Sequence, residues 1–464
     1  MTSPMALPIL TVQSDFADVI ADVDAGLVPE DRFWLSCYKS GEPSVHAKVH
    51  VALDDVDRNL IRFTPKDGDV DFVKTQSTYT AACHSLDIPP TPILLPTQEY
   101  TDTDTRRPRR ITAFDISLDK SRFAIGHLDG SLSIHPISPP SSTPKRPQRV
   151  NTSNKRKLVS KPHVSNITHL QFFPSSRVLL SSGADFSLSI LSTEFPDAWQ
   201  TSSSETSSLS VSGSRIQPVR VLRGHTRSVT SATIIDRGRN IISSSLDSSL
   251  NLWDIPSGSV IHTLNSTSPV LCTTIGTNEV LLPPDGEEEE KEVGIKRDEM
   301  EDEHVQQTVS YAGLQNGSIQ VFDWRTRLNF SLSKPPSSAP INSISYLPQQ
   351  SLLATGSSKG IITLYDVRSL SSSSLPLTSF RRNEAGISDL AFQYRQQRVG
   401  LAIATADGLP YIASIIPEGP GIQTELVGVD CDPVGNIRVV RGDSDDQEEV
   451  WTASDDGIVR RYIL

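Results

Sequence analysis

The stretch GSSKG, residues 356–360, has the spacing of a hydrolase nucleophile elbow, in which a serine stands between two glycines. That chemistry requires a sharp turn from a strand into a helix, with a histidine and an acid close to the serine. Here the surrounding sequence, LLATGSSKGIITLYDV, predicts a strand, a turn and a second strand. The pattern therefore favours a structural turn over a catalytic serine.

The other reactive side chains indicate neither a metal site nor a covalent framework. The ten histidines are scattered without the spacing of metal ligands, and no glycine-rich loop leads from a strand into a helix. The four cysteines lie far apart, which is typical of reduced thiols rather than of zinc ligands or disulfides. The sequence therefore predicts a protein without enzymatic activity, metal or cofactor.

A second group of chemically capable residues lies in residues 223–264, where four short β-rich runs are separated by turn residues. His225, Ser243 and Trp253 stand at −22, −4 and +6 from Asp247. This spacing resembles the hydrogen-bonded tetrad of a WD repeat, which forms one blade of a β-propeller. In such a tetrad the carboxylate accepts from the imidazole, and the serine links the ring to the indole. We therefore expect these four residues to be structural.

The turn that contains Asp247 recurs along the chain, each time before a strand of alternating polarity. The seven turns are at Asp129-Gly130, Asp185, Asp247, Asn316-Gly317, Lys359-Gly360, Asp407-Gly408 and Asp456-Gly457. Asp or Asn before Gly is a strong signal for a tight turn between strands. The sequence thus predicts an all-β fold, a seven-bladed WD-repeat propeller over residues 101–464, in which the fourth blade is the least well defined.

Three stretches lengthen this repeat, near residues 136–157, 194–217 and 284–306. The first is basic and rich in proline and serine, the second is rich in serine, and the third is strongly acidic. Such compositions predict exposed, disordered loops. The basic cluster PKRPQRVNTSNKRK, residues 144–157, fits a nuclear localisation signal as well as a solvated loop. We expect a cytoplasmic protein, and a nuclear location stays open.

Residues 1–100 do not repeat, yet they contain β-like runs such as RFWLSC and SVHAKVHVAL. These runs predict a small N-terminal β domain before the ring. The chain ends on a strand pattern, GIVRRYIL, that needs an outer neighbour. Because propellers commonly close by pairing N-terminal with C-terminal strands, we expect the closing strand near Ile93 to Tyr100. Pro96 weakens that assignment, since proline cannot donate to a ladder.

The overall charge indicates which partners suit the chain. A net charge of −12 argues against a general nucleic-acid binder and suits a basic protein partner. The N-terminus has no basic segment before an apolar run, and no stretch approaches the roughly 18 apolar residues of a membrane span. We therefore expect a monomer that binds neither nucleic acid nor membrane.

One face of the predicted ring gathers acidic loop residues. In a WD blade, the turn between the second and third strands and the link to the next blade open on the same face, which we call the turn face. Its predicted partner-binding residues are Asp129, Glu384, Asp407, Asp430, Asp432 and Asp455. Loops on a rigid scaffold often carry binding residues, and complementary charge gives association rate and specificity. We predict that this acidic sector meets a basic partner.

Four segments together resemble the proteasomal ATPase-associated factor family. In chain order they are FWLSCYKSGEPSVHAKV, IIDRGRNIISSSLD, ELVGVDCDPV and DDGIVRRYIL. The resemblance implies a non-enzymatic chaperone that assembles the base of the proteasome regulatory particle. It further implies binding to the C-terminal domain of one proteasomal AAA-ATPase subunit, which delays the docking of that subunit on the core particle. Assembly intermediates of the base would be the partners, and no cofactor is implied.

A different function is suggested by Tyr365-Asp366-Val367-Arg368. This stretch resembles the WDxR ending of WD proteins that dock on cullin-RING ligase adaptors. Under that alternative the protein would be a substrate receptor of a ubiquitin ligase. The motif is weakly specific, since an aromatic residue before Asp is common in every blade. The ligase function requires Arg368 for partner binding, whereas the chaperone function does not.

Overall fold

The computed structural model describes residues 4–54, 57, 60–75, 78–102, 109–139, 146–153, 156–196, 213–277, 303–332, 339–370, 375–441 and 447–464. Within these residues the strands form eight sheets, of which seven contain the blades of a propeller and the eighth belongs to the N-terminal region. The predicted all-β propeller is therefore confirmed. No helix in these ranges is long and apolar enough to span a bilayer.

The N-terminal region combines one helix with short and long strands. Its elements are β1 (Met5–Ala6), β2 (Ile9–Val12), α1 (Phe16–Asp24), β3 (Glu30–Tyr38), β4 (Val45–Leu53), β5 (Ile61–Lys66), β6 (Val70–Thr75), β7 (Thr78–Cys83), β8 (Ile88–Leu94) and β9 (Gln98–Thr101). Strands β2 to β5 form an antiparallel sheet in chain order. The apolar face of α1 packs on one side of that sheet, where Phe16 contacts Phe33 with ring centroids 5.6 Å apart.

The strands of the first three blades and their insertions follow. They are β10 (Ile111–Ile116), β11 (Arg122–His127), β12 (Leu132–Pro136), β13 (Gln148–Asn151), β14 (Leu158–Ser160), β15 (Ile167–Phe172), β16 (Val178–Gly183), β17 (Ser187–Ser192), β18 (Ser214–Arg215), β19 (Pro218–Arg223), β20 (Val229–Ile234), β21 (Asn240–Ser245), β22 (Ser249–Asp254) and β23 (Ser259–Asn265). Blade one has the order β10-β11-β12-β14-β18, blade two β15-β16-β17-β19, and blade three β20 to β23.

The remaining four blades complete the ring. Their strands are β24 (Val270–Thr277), β25 (Thr308–Leu314), β26 (Ile319–Asp323), β27 (Leu328–Ser331), β28 (Ile341–Leu347), β29 (Leu352–Ser357), β30 (Ile362–Asp366), β31 (Thr378–Arg381), β32 (Ile387–Arg395), β33 (Arg398–Thr405), β34 (Tyr411–Ile416), β35 (Gly421–Leu426), β36 (Val434–Arg441), β37 (Glu448–Ser454) and β38 (Val459–Ile463). Short 3₁₀ helices cover Glu303–Gln307, Pro348–Gln350 and Val367–Ser369. Blade four, the least well defined in the sequence, has four regular strands, β24 to β27.

The stretch expected to close the ring is divided between two blades. Strand β9 pairs antiparallel with β38, so Gln98–Thr101 supplies the outer strand of blade seven. Ile93 and Leu94, however, belong to β8 and pair in parallel with β35 of blade six. For these two residues the expected closing role is wrong, because Pro96 interrupts the ladder and lets the chain pass from one blade to the next.

The N-terminal region also contacts the ring more closely than a separate domain would. Strands β6, β7 and β8 continue the sheet of blade six outward from β35, and β1 pairs in parallel with β31 of blade five. Ile93 and Val427 lie in the same apolar cluster as the helix α1. Strands β1 and β6 to β8 are thus anchored along the outer edges of blades five and six.

The three insertions contain more structure than loops. Strand β13, within 136–157, pairs in parallel with β9 and becomes a fifth strand of blade seven. Strand β18, within 194–217, pairs in parallel with β14, and the 3₁₀ helix Glu303–Gln307 ends the third insertion. For these residues the loop prediction is wrong, because their backbone groups find ladder or helical partners. The parts at 140–145, 154–155, 197–212 and 278–302 lie outside the described residues.

All seven predicted turns have the same backbone form. The residue after the turn Asp, Asn or Lys has a left-handed φ in each blade, between 66° and 80°. Glycine occupies this position in five blades, where a side chain would be strained. Phe186 in blade two and Ser248 in blade three adopt φ values of 70° and 66° without being glycine.

A bulge recurs at the same place in each blade. In the first strand of every described blade the pairing register shifts at the second residue. In blades one to three this residue is a threonine, and Thr112 donates its hydroxyl to the carbonyl of Ile167 at 2.7 Å, as Thr168 does to Val229 at 2.6 Å. Bulges re-aim side chains, and in these three blades the bulge directs a donor at the neighbouring blade. Apolar packing continues between the sheets, as where Leu252 and Phe322 share a cluster.

Candidate protein-binding face

Blade three contains the predicted tetrad as a chain of hydrogen bonds. His225 Nδ1 lies 3.0 Å from Asp247 Oδ2, and His225 Nε2 lies 2.7 Å from Ser243 Oγ. The indole Nε1 of Trp253 donates to the same Oγ at 2.8 Å. Because the carboxylate can only accept, Nδ1 carries the imidazole proton and Nε2 accepts from the serine. The donors therefore point one way, from Trp253 through Ser243 and His225 to Asp247.

The electrostatics of the tetrad keep the imidazole neutral. Burial lowers the pKa of His225, against the opposing influence of Asp247. Burial acts to raise the pKa of Asp247, but hydrogen bonds from Ser249 and Thr226 and the adjacent imidazole outweigh it, and the net shift is downward. Both ring nitrogens are occupied by protein partners. The group therefore anchors the turn that opens on the turn face.

Two other blades contain parts of this chain. In blade two, His163 lies 2.9 Å from Asp185 and 2.8 Å from Ser181, while buried Leu191 replaces the indole. In blade four, Trp324 donates to Ser310 at 2.8 Å. The sequence prediction missed this pair because each of its residues stands two positions further from the turn than in blade three. The signal that would have found it is a Ser and a Trp displaced by two residues on both strands.

In blade seven an arginine, not a histidine, pairs with the turn aspartate. Arg460 donates to Asp456 Oδ2 at 2.6 Å and to Ser454 Oγ at 2.8 Å, and its side chain is 3% exposed. Its Nε lies 3.4 Å from a carboxylate oxygen of Glu99 on the closing strand β9. The next residue, Arg461, pairs with Glu449 and donates to Gln98 at 3.0 Å. The two arginines therefore join both faces of β38 to the closing strand.

A polar channel of about 440 Å³ runs between the first strands of the blades. Its wall includes Asp115, Asp389 and Arg438, which form one ion-pair group. Within the described ranges, no group of three or more His, Cys, Asp or Glu is placed to hold a metal ion. The charged groups of the channel are therefore matched with one another.

Three of the six predicted partner-binding residues are engaged inside the chain. Asp129 accepts from the backbone and hydroxyl of Ser131, and Asp407 accepts from Asn383 at 2.6 Å and from the backbone of Leu409. Asp455 pairs with Arg110 at 2.9 Å and is only 15% exposed. Their carboxylates hold turns in place.

The other three predicted residues present their carboxylates on the turn face. Glu384 lies in the link from β31 to β32 and is exposed; Asp430 is exposed and Asp432 partly exposed in the link from β35 to β36. Described residues form no ion pair with these three carboxylates. The link is fixed by close packing, since a Cβ on Gly408 would lie 2.6 Å from the carbonyl oxygen of Asp432.

The negative potential here is visible in the titration of Asp455. Burial raises its pKa, Arg110 opposes this shift, and the Asp432 and Asp456 carboxylates add to it. Asp432, Asp455 and Asp456 therefore influence one another electrostatically, and the wider acidic sector stays a prediction. Whether they bind a partner stays a prediction.

Comparison with known families identifies the repeat. A family model described as "WD domain, G-beta repeat" matches residues 216–254 and 328–366. Each match begins near the outer strand of one blade and ends with the third strand of the next. These two stretches are WD repeats, and the fold around them is a WD β-propeller. Propellers of this kind are typically non-catalytic scaffolds for protein–protein interaction.

Two curated proteins share part of this WD-repeat chain. A Dictyostelium discoideum protein named pre-mRNA-processing factor 19 is 28% identical over 179 residues, which are 38% of this chain and 29% of that protein. A Saccharomyces cerevisiae protein named 26S proteasome regulatory subunit RPN14 is 27% identical over 172 residues, 37% of this chain and 31% of that protein. The WD-repeat chain thus spans less than a third of the length of either relative.

An apolar part of the turn face was missed in the sequence. Leu128, Val164 and Phe186 are 59%, 86% and 46% exposed. Their backbone segments are neighbours, because the turn of blade one packs against residues 163–165 and the backbone of Val164 donates to Asp185, beside Phe186. We call them the apolar trio. The signal that would have found them is Phe186, an aromatic residue at a turn position that five other blades give to glycine.

The stretch behind the ubiquitin-ligase alternative has an internal role. Tyr365 is buried between blades four and five, and Arg368 forms a two-pronged pair with Asp366, with distances of 3.0 and 2.8 Å. The Arg368 side chain is 67% exposed. Its guanidinium is therefore accessible but already satisfied by its neighbour.

Proposed function

We propose that this protein binds the C-terminal domain of a proteasomal AAA-ATPase subunit as a non-enzymatic chaperone of the regulatory-particle base. In this role it delays the docking of that subunit on the core particle. The observation that carries the proposal is the position of the family-like segment ELVGVDCDPV, since it forms the link that presents Asp430 and Asp432. The 27% identical relative named as a 26S proteasome regulatory subunit supports the same assembly.

The turn face supplies two kinds of contact for such a partner. Glu384, Asp430 and Asp432 would meet basic side chains and steer association. The apolar trio would supply the desolvated contact that dominates affinity at most interfaces. An ATPase domain that fits this face would place a basic patch over blades six and seven and an apolar patch over blades one and two.

The binding test uses the full chain and an isolated ATPase C-terminal domain in isothermal titration calorimetry. The double reversal D430K/D432K should weaken binding about tenfold or more, because two attractive contacts become repulsive. The matched control is E194K/E418K, since both residues are exposed and each follows the third strand of its blade, away from the turn face. Equal affinity of D430K/D432K and the parent protein would exclude the acidic sector as the site.

A second experiment tests the biological assignment. Affinity purification from cells should recover regulatory-particle base subunits that are free of the core particle. Recovery of cullin adaptors, lost on changing Arg368, would favour the ligase receptor instead. A purification that contains neither assembly would contradict the chaperone proposal, whatever the effect of the charge reversals.

A further inference from the structure

The outer face of the N-terminal sheet differs in charge from the rest of the chain. Phe33, Leu35 and Val49 are fully buried on the inner face. The alternating residues of β3, β4 and β5 point outward, and they are Glu30, Arg32, Trp34, Ser36, Tyr38, His46, Lys48, His50, Ala52, Arg62, Thr64 and Lys66. Cationic and aromatic side chains dominate this set, although the chain as a whole carries a net charge of −12.

The register of the sheet brings cations together at its centre. Lys48 stands opposite Trp34 on β3 and opposite Lys66 on β5. Like charges directly opposite each other destabilise a sheet. The Lys48 ammonium lies over the Trp34 ring, 4.7 Å from its centroid, which draws it away from Lys66. The arrangement therefore carries an electrostatic cost within the isolated chain.

No carboxylate among the described residues forms an ion pair with Arg32, Lys48 or Lys66. Arg32 stands two residue pairs from this centre, on the same outward face and opposite His50. Trp34 is 49% exposed, a large fraction for an indole in a regular sheet. An anion placed over the centre would meet all three cations and the edge of the indole.

We propose that this basic sheet face, defined by Arg32, Trp34, Lys48 and Lys66, binds a carboxylate-rich segment of a partner protein. Carboxylates would relieve the repulsion between Lys48 and Lys66, and the exposed indole would cover the apolar part of the segment. The face lies on the sheet β2–β5, apart from the turn face, so both partners can bind to one molecule.

Two observations favour an acidic protein segment over a nucleic acid. The Trp34 ring face is covered by the Lys48 ammonium, so a base could stack there only by displacing it. The patch is also a local exception on an acidic chain. At physiological salt, screening limits such interactions to about 8 Å. A short acidic segment meets only the patch, whereas a longer polyanion extends over repulsive surface.

The test is fluorescence anisotropy with the full chain. The probe is a fluorescein-labelled peptide of twelve alternating glutamate and threonine residues, compared with the same peptide carrying glutamine for glutamate. The glutamate peptide should bind, and K48E/K66E should weaken its binding about tenfold. The control R177E/R237E makes the same charge change at two exposed arginines of blades two and three and should leave binding unchanged.

Two results would overturn the proposal, and a milder pair of substitutions guards against loss of stability. Equal affinity of K48E/K66E and the parent protein, with matching thermal melts, would overturn it. Tighter binding of a twelve-residue oligouridylate that is lost in K48E/K66E would assign the face to nucleic acid instead. If K48E/K66E lowers the melting temperature, the variant K48Q/K66Q removes both charges without introducing new ones. K48Q/K66Q should still weaken peptide binding several-fold. Unchanged peptide binding in K48Q/K66Q would equally overturn the proposal.

Discussion

Arg438 and Asp115 lie 323 residues apart in sequence, and their side chains form an ion pair at 3.2 Å on the inner wall of the ring. The same guanidinium lies 2.5 Å from Asp389, whose carboxylate also accepts from the backbone of Ile437. Asp115 in turn accepts from the backbone of Phe172 at 2.7 Å. These contacts connect blades six, seven, one and two, so one arginine joins the blades on both sides of the ring closure.

Replacing Arg438 by methionine should therefore lower the stability of the whole ring. The change leaves Asp115 and Asp389 as largely buried carboxylates without a cation, and breaking a buried pair costs about 3 kcal/mol or more. Urea denaturation should report that loss of unfolding free energy. The control R368M removes an exposed pair with Asp366 and should cost far less, because water screens such a pair. Equal midpoints for R438M and R368M would contradict the closing role.

The ring closure shows what the sequence could predict and what it could not. The pattern GIVRRYIL correctly indicated a terminal strand that needs a neighbour, and β9 pairs with it. The alternation of apolar residues did not indicate the buried pairs of Arg460 with Glu99 and of Arg461 with Glu449. Arginines in a strand are normally expected to face solvent. Their burial depends on acids that other strands supply, which local periodicity does not reveal.

The tetrad of blade three should contribute more to the free energy of unfolding than its counterpart in blade two. Ser243→Ala leaves the Trp253 indole N–H without a partner in a fully buried site, and it leaves His225 Nε2 with only a 3.4 Å contact to the Asn251 amide. An unsatisfied buried group costs about 1–3 kcal/mol. Ser181→Ala is the matched control, because Leu191 replaces the indole and only the histidine loses its bond. Chemical denaturation should show a smaller loss for S181A; equal losses would mean that the indole bond contributes nothing.

The turns could be predicted from local sequence, whereas two other features of the blades could not. Glycine after Asp, Asn or Lys predicted five of the turns, because glycine accepts a left-handed φ without strain. Blade four contains the Trp324–Ser310 hydrogen bond, but the two residues lie further from the turn than in blade three. A search at fixed offsets from the turn therefore does not find them. Phe186 stands where five other blades have glycine, and it is exposed on the turn face.

Stability should fall as pH falls below about 6.5, the ordinary histidine value, in part because of His135. Burial lowers the pKa of His135 to about 3, and Lys157 adds to the shift. Between pH 6.5 and pH 3 the His135 imidazole is protonated in the unfolded chain but stays neutral in the folded chain. The contribution of neutral His135 to the unfolding free energy is therefore complete above pH 6.5 and is lost as pH falls towards 3. Between pH 7 and pH 5 the loss is about 2 kcal/mol.

The variant His135→Phe isolates that contribution. Phenylalanine keeps the stacking on Phe123, whose centroid is 5.2 Å away, and cannot titrate. The difference in unfolding free energy between pH 7 and pH 5 should therefore shrink by about 2 kcal/mol. His84 is the control, because a hydrogen bond to Asp71 raises its pKa and it is exposed, so H84F should not flatten the acid loss. An unchanged pH profile in H135F would contradict the lowered pKa.

Phe186→Gly should separate stability from binding. Phe186 has a φ of 70° and is 46% exposed, so its backbone is strained and its ring contributes little to the core. A non-glycine residue in this region costs about 1 kcal/mol or more, and glycine removes that strain at some cost in chain entropy. The melting temperature should stay equal or rise, while affinity for the ATPase C-terminal domain should fall several-fold. Ser248→Gly makes the same backbone change in blade three, at a φ of 66° and without an exposed apolar side chain, and it should leave affinity unchanged. If F186G binds as tightly as S248G, the apolar trio is not part of the interface.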